Sequence, residues 1–188
     1  MANLDNPSGF TPVRHQSGGQ IHANGYPLAS GYATAIYRGD AVVLTSGKLA
    51  IGAANSAGLL GIFDGCQYTA SDGSIVYSPN WVASTATSGS ADAVAFVYDD
   101  PNIIYRAQVS TDLAFVLATH SMFLCDLIGT HTGSAISGQS KQEINLNDTS
   151  DEQFIVLRLI NEAGNAVGAH AKVECKIKDS RTSSTYSA

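Results

Sequence analysis

Turn signals interrupt this chain at short intervals, and the apolar runs between them are too brief for helices of ordinary length. In "AVVLTSGKLAIG", two runs rich in β-branched or aliphatic residues flank "SGK", where Gly47 can take the positive φ of a tight reversal. That pattern predicts a β-hairpin. "GLLGIFDGCQYTASDGSIVYSPNW" reads as a strand to Phe63, a second through Gln67 and Tyr68, a reversal at "SDG", and a return through Ile75 to Tyr77. Val94 to Tyr98 and Ile103 to Val109 are two further strands. Pro101 cannot donate to a ladder, so the break between them at Asp99, Asp100 and Pro101 is firm.

Late in the chain "QFIVLRLI" and "AKVECKIK" continue the rhythm. Ala171, Val173, Cys175 and Ile177 alternate with Lys172, Glu174, Lys176 and Lys178, the period of a strand with one face in a core and the other in water. One stretch, "TDLAFVLATHSMFLCDLIG", stays open: Thr111 or Asp112 can cap a helix, and Leu113 to Leu117 can equally be a buried strand. Regular strands with Gly-rich turns predict an all-β chain, an antiparallel sandwich or barrel. Residues 1–20, with Pro7, Pro12 and "SGG", read as an extended N-terminal arm; 21–179 as the β domain; and 180–188 as a flexible tail.

The 188 residues suffice for one good core or two small ones. Charged residues make up 14% of the chain, against roughly 25% in ordinary soluble domains. So little charge points to a surface covered in an assembly. The "AVVLTSGKLAIG" hairpin, with its few charges, is expected to supply part of that surface. A net charge of -6 opposes loose adhesion to nucleic acid or anionic lipid. The start "MANLDNPSGF" has neither a basic end nor an apolar core, and no run reaches the length of a membrane span, so synthesis in the cytoplasm is expected. Cys66, Cys125 and Cys175 are odd in number and far apart, which fits reduced, buried thiols.

No local pattern carries chemistry. Asp99 and Asp100 are sequence neighbours, whereas glycosidase carboxylates converge across a cleft, so a turn before proline explains the pair. His15, His22, His120, His131 and His170 match no metal-ligand spacing; no metal, cofactor or catalytic residue is expected. "GCQ" and "LCD" match no nucleophile elbow, and the Gly-rich pieces precede no helix that would bind phosphate. Tyr77, Trp81 and Tyr98 are the candidates for a sugar platform. Lys172, Lys176, Lys178 and Arg181 are candidates for phosphate contact, although a solvated face is the simpler reading.

The segments "GFTPVRHQSGGQI", "SGYATAIYRGDAVVL", "GLLGIFDGCQYTASDGSIVYSPNW", "VAFVYDDPNIIYRAQV" and "GAHAKVECKI" together resemble capsid cement, or decoration, proteins of marine and cyanobacterial tailed phages. The likeness runs in order from Phe10 to Lys178 and is weakest over Leu113 to Asn147. It implies a β-sandwich of jelly-roll kind that forms a homotrimer and binds the major capsid protein on the outer surface of an icosahedral shell, at three-fold or quasi-three-fold axes. Phe10, Val13, Arg14, Tyr37 and Arg38 are the candidate capsid or inter-subunit contacts. Phe10, Val13 and Arg14 are expected to order on a neighbour, so that removing residues 1–14 leaves the thermal midpoint of the free protein unchanged. The reading set beside it is a virion carbohydrate- or receptor-binding β-sandwich using Tyr77, Trp81 or Tyr98.

Overall fold

The computed structural model describes residues 3–54, 56, 58–128, 133–178 and 180. Its strands, in chain order, are β1 (Thr11–His15), β2 (Asn24–Leu28), β3 (Ile36–Tyr37), β4 (Ala41–Thr45), β5 (Lys48–Ile51), β6 (Gly61–Thr69) and β7 (Ile75–Ser78). There follow β8 (Asn80–Trp81), β9 (Ala93–Tyr98), β10 (Ile103–Gln108), β11 (Phe123–Leu127), β12 (Ile144–Asn145), β13 (Phe154–Leu159) and β14 (Lys172–Ile177). Among the described residues the one α-helix is the single turn α1 (Leu117–His120), so the protein is all-β. Its named strands all pair antiparallel.

The first sheet runs β1-β10-β14-β13-β11-β12 and the second β2-β9-β6-β4-β5, with β7 beside β6; β3 and β8 form a separate pair. Two cores follow from the alternation along these strands. In β4, Ala41 and Val43 face the first core and Val42 and Leu44 the second. The first core gathers Tyr105, Cys125, Phe154, Val156, Val173 and Cys175 of the first sheet with Ala41 and Ile62 of the second. The second core lies on the opposite face of the second sheet, where Phe63, Ala95 and Val97 meet Ile36 and Trp81.

The hairpin forms as the sequence predicts, but with a tighter turn. Thr45 pairs with Lys48, leaving Ser46 (φ 51°) and Gly47 (φ 78°) as a two-residue loop with both φ positive. The hairpin's apolar residues Ala41, Val42 and Leu49 are buried within the chain, because the strand lies between two cores, and it is Thr45 to Lys48 at the turn that stand exposed. The "DG" at 64–65 is not a break. Strand β6 continues through it for nine residues, and the extra residue is absorbed as a bulge against β9 between Phe63 and Gly65.

The open segment combines both elements in short form, and the stretch Leu113 to Val116 lies in neither a helix nor a named strand. Phe115 is buried in the first core and exchanges backbone hydrogen bonds with Gly168 (3.0 and 2.9 Å), after which α1 makes one turn and β11 begins. The N-terminal residues differ most from expectation. Phe10 is 1% exposed and stacks on Phe154, ring centroids 4.4 Å apart, while β1 pairs along β10 as an edge strand. Residues 10–15 therefore order on their own chain, because an aromatic ring buried there gains more than it would in water. Of the expected tail, Ser180 bridges to Leu59; the rest lies outside the described residues.

Candidate functional site

Strand β9 turns Ala93, Ala95 and Val97 to the second core and Val94, Phe96 and Tyr98 to the opposite side, where Val94 is exposed and Tyr98 packs against the first core. On that side Val94 lies opposite Pro27 of β2 and Gln67 of β6, Phe96 opposite Gly25 and Gly65, and Tyr77 of β7 opposite Gln67. Residues directly opposite in an antiparallel ladder share a face, so these positions form one surface, and none of them is charged. Tyr77 is 71% exposed, Ile75 64% and Val94 42%. A chain with a net charge of -6 thus leaves a patch of uncharged residues exposed on one side of the second sheet, the side that packs into the first core at Ala41 and Ile62.

At one margin of this patch stands an ion pair. Arg38 Nε donates to Asp64 Oδ1 at 2.7 Å, and the Tyr98 phenol stands close enough to feel both charges. Burial, and then Asp64, hold the Tyr98 phenol above its ordinary value. The bulge in β6 is what presents Asp64 there. On one side of the pair is a shallow recess of about 320 Å³ lined by Phe10, Pro12, Phe63, Tyr98 and Gln139; on the other, a second recess reaches Tyr77, Pro79 and Phe96.

The expected contact residues do not converge. Phe10 is a core residue and presents nothing to a neighbour. Val13 is the extra residue of a bulge in β1 and stands 49% exposed. Arg14 reaches across the outer face of the first sheet to Glu174, 2.8 Å away, which Arg158 also holds at 2.9 and 3.1 Å. Burial opposes ionisation of Glu174, but the two guanidiniums keep its carboxyl below the ordinary range. Tyr37 is half-buried in β3, its ring so close to Gly133 that a Cβ there would stand 2.1 Å from it. Arg38 alone of the set borders the uncharged patch.

Trp81 is fully buried and donates its indole N–H to the Tyr32 carbonyl at 3.1 Å, so it forms no sugar platform. Asp99 accepts from Asn24 and Tyr26, and burial followed by Asp99 pushes the Tyr26 phenol up to about 12. Asp100 accepts the Asn102 amide at 2.8 Å and pairs with His15 Nε2 at 3.0 Å. Asp100 thus serves the turn, while Asp99 ties the end of β9 to β2. Of the basic stripe, Lys172 pairs with Glu162 and Lys178 with Glu152, Lys176 reaches Gln16 at 3.4 Å, and Arg181 lies outside the described residues. All three cysteines are buried and free, and burial pushes the Cys66 thiol up to about 12.

One cluster escaped the spacing rules. Asp5, Glu143 and His170 bring three potential ligand atoms within 4.8 Å of one another. Their separation in sequence hides them from any local spacing motif, which is why the histidines gave no sign of it. No protein-family model, curated protein or solved structure matches the chain.

Proposed function

We propose that this protein is a capsid cement protein: a jelly-roll sandwich acting as a homotrimer on the outer surface of an icosahedral phage shell, with no catalytic step. The observation that carries the reading is an exposed uncharged patch on the side of the second sheet that elsewhere packs into the first core, with Ile75, Tyr77 and Val94 standing in water. Exposed apolar patches of this kind mark surfaces that meet other proteins. The resemblance to phage decoration proteins supplies the partner, the major capsid protein. A negative chain is repelled by packaged DNA, which favours the exterior.

Such a protein works by mass action. A partner that binds the closed shell and not its separated subunits adds RT ln(1 + [L]/Kd) per site, about 2.7 kcal/mol at a hundredfold excess over Kd. Repetition over a shell makes the sum large. The test adds graded amounts of the protein to heads that lack it and records occupancy and the temperature of genome release. Release should move upward with occupancy and plateau, and Val94→Lys or Tyr77→Asp should lower occupancy at least tenfold. Heads that release DNA at the same temperature bare and decorated overturn the reading.

A second reading rests on the recess where Tyr77 and Phe96 adjoin Arg38 and Asp64, since an aromatic face beside paired polar groups suits a sugar ring. A glycan array decides between them. Carbohydrate binding lost in Tyr77→Ala, with no binding to bare heads, replaces the cement reading by an adhesin.

A further inference from the structure

The cluster of Asp5, Glu143 and His170 is independent of the sheet face. Its three side chains come from three segments: the stretch before β1, the residue preceding β12, and the residue two before β14. His170 Nδ1 lies 3.5 Å from Asp5 Oδ1, too far for a good hydrogen bond. Glu143 Oε1 and His170 Nδ1 are buried, and neither has a hydrogen-bond partner among the described residues. Two buried polar atoms left without partners each cost stability, and a native fold leaves few of them unless an ion or water completes the site.

The backbone around the cluster is held in place. The buried Gln108 side chain grips the chain on both sides of Asp5, accepting the Asn6 amide at 3.2 Å and donating to the Leu4 carbonyl at 3.3 Å. Asn3 donates to the carbonyls of Ala166 and Ala169, both at 2.8 Å, and accepts the Ala166 amide, fixing the loop that carries His170. The Glu143 carbonyl accepts the Ile128 amide at 3.0 Å. These bonds preset the spacing of the three ligands.

We propose that Asp5, Glu143 and His170 bind one divalent first-row transition cation. One imidazole nitrogen and two carboxylate oxygens form a donor set that suits Zn²⁺ or Mn²⁺ better than an all-oxygen site suits them, and an ion with bonds of about 2.0–2.4 Å bridges ligand atoms as far apart as these. Asp112, close enough to act on Glu143, adds to the negative potential. Asp5 is 64% exposed, so the cation enters from that side and keeps water there. Bound, it ties the N-terminal segment to the strands around the first core. The site is structural, and it stands whether or not the protein meets a capsid.

The test uses the full chain stripped with chelator and titrated with ZnCl₂ by calorimetry, with thermal melting in parallel. One Zn²⁺ should bind per chain and raise the melting midpoint, and Glu143→Gln and His170→Gln should each weaken binding at least tenfold. MgCl₂ at the same concentration should move the midpoint less. Because a variant can fail to fold, histidine ring resonances of the intact protein are followed by NMR during the titration. Those of His170 should shift first. No Zn²⁺ binding at 1 mM, or binding that leaves the His170 ring unmoved, overturns the proposal.

Discussion

Asp40 shows how one side chain sets a pH response. It is fully buried at the turn into β4, where its carboxylate accepts the Tyr37 amide and bonds with Ser140. Burial outweighs both contacts and pushes the carboxyl up to about 7 from its ordinary 3.8. A raised folded-state value means that the protonated form is favoured by folding. The contribution is complete below about pH 4 and is lost as pH rises toward 7. Asn keeps an acceptor for Tyr37 and carries no charge. Melting wild type and Asp40→Asn at pH 5 and pH 8 should therefore show wild type losing roughly 2 kcal/mol relative to the variant at the higher pH. An equal gap at both values sinks the argument.

Among the elements, β1 is the clearest case of an outcome opposite to the one its composition suggested. Phe10 leads into it and stacks on Phe154, so Phe10→Ala should cost about 3–5 kcal/mol as a core truncation, read from denaturant unfolding. Removing residues 1–14 should lower the thermal midpoint further, since it strips an edge strand as well; an unchanged midpoint restores the free arm. An isolated aromatic among prolines and glycines carries no mark of which core it fills, and only long-range packing decides it. The strands with strict alternation were legible because local pattern alone places them: Ala171, Val173, Cys175 and Ile177 are all buried. Even there Glu174, assigned to water, is 8% exposed, since its cover comes from arginines on β1 and β13. Two strands were expected on either side of Asp64 and Gly65, and only the pairing with β9 shows one strand with a bulge. Asp5, Glu143 and His170 were hidden for the same reason, being neighbours only through the fold.

At the scale of the molecule the two sheets turn different surfaces to the surroundings. The first carries Arg14, Arg158 and Glu174 together with Arg106, Lys172 and Glu162, a mutually paired charged face. Exposed pairs of this kind contribute about 0–1 kcal/mol each, so their main effect is to keep that face wet. The exposed patch at Ile75, Tyr77 and Val94 is uncharged, and a contrast of this sort orients a molecule on a partner. The proposed trimer should sediment at three times the chain mass of 19.6 kDa at micromolar concentration, with about 800 Å² or more covered per partner. A species near 20 kDa contradicts it.

The outermost strands on the N-terminal side bear on how many copies can crowd together safely. Edge strand β1 contains Pro12 and a bulge, and edge strand β2 contains Pro27. Proline offers no amide to an incoming strand and a bulge twists the ladder away, so neither border can be extended by a further strand. Growth of one sheet into that of another copy, the usual route to fibrils, is therefore obstructed at one border of each sheet. Copies crowded together on these two sides meet through side chains and not by extending a ladder.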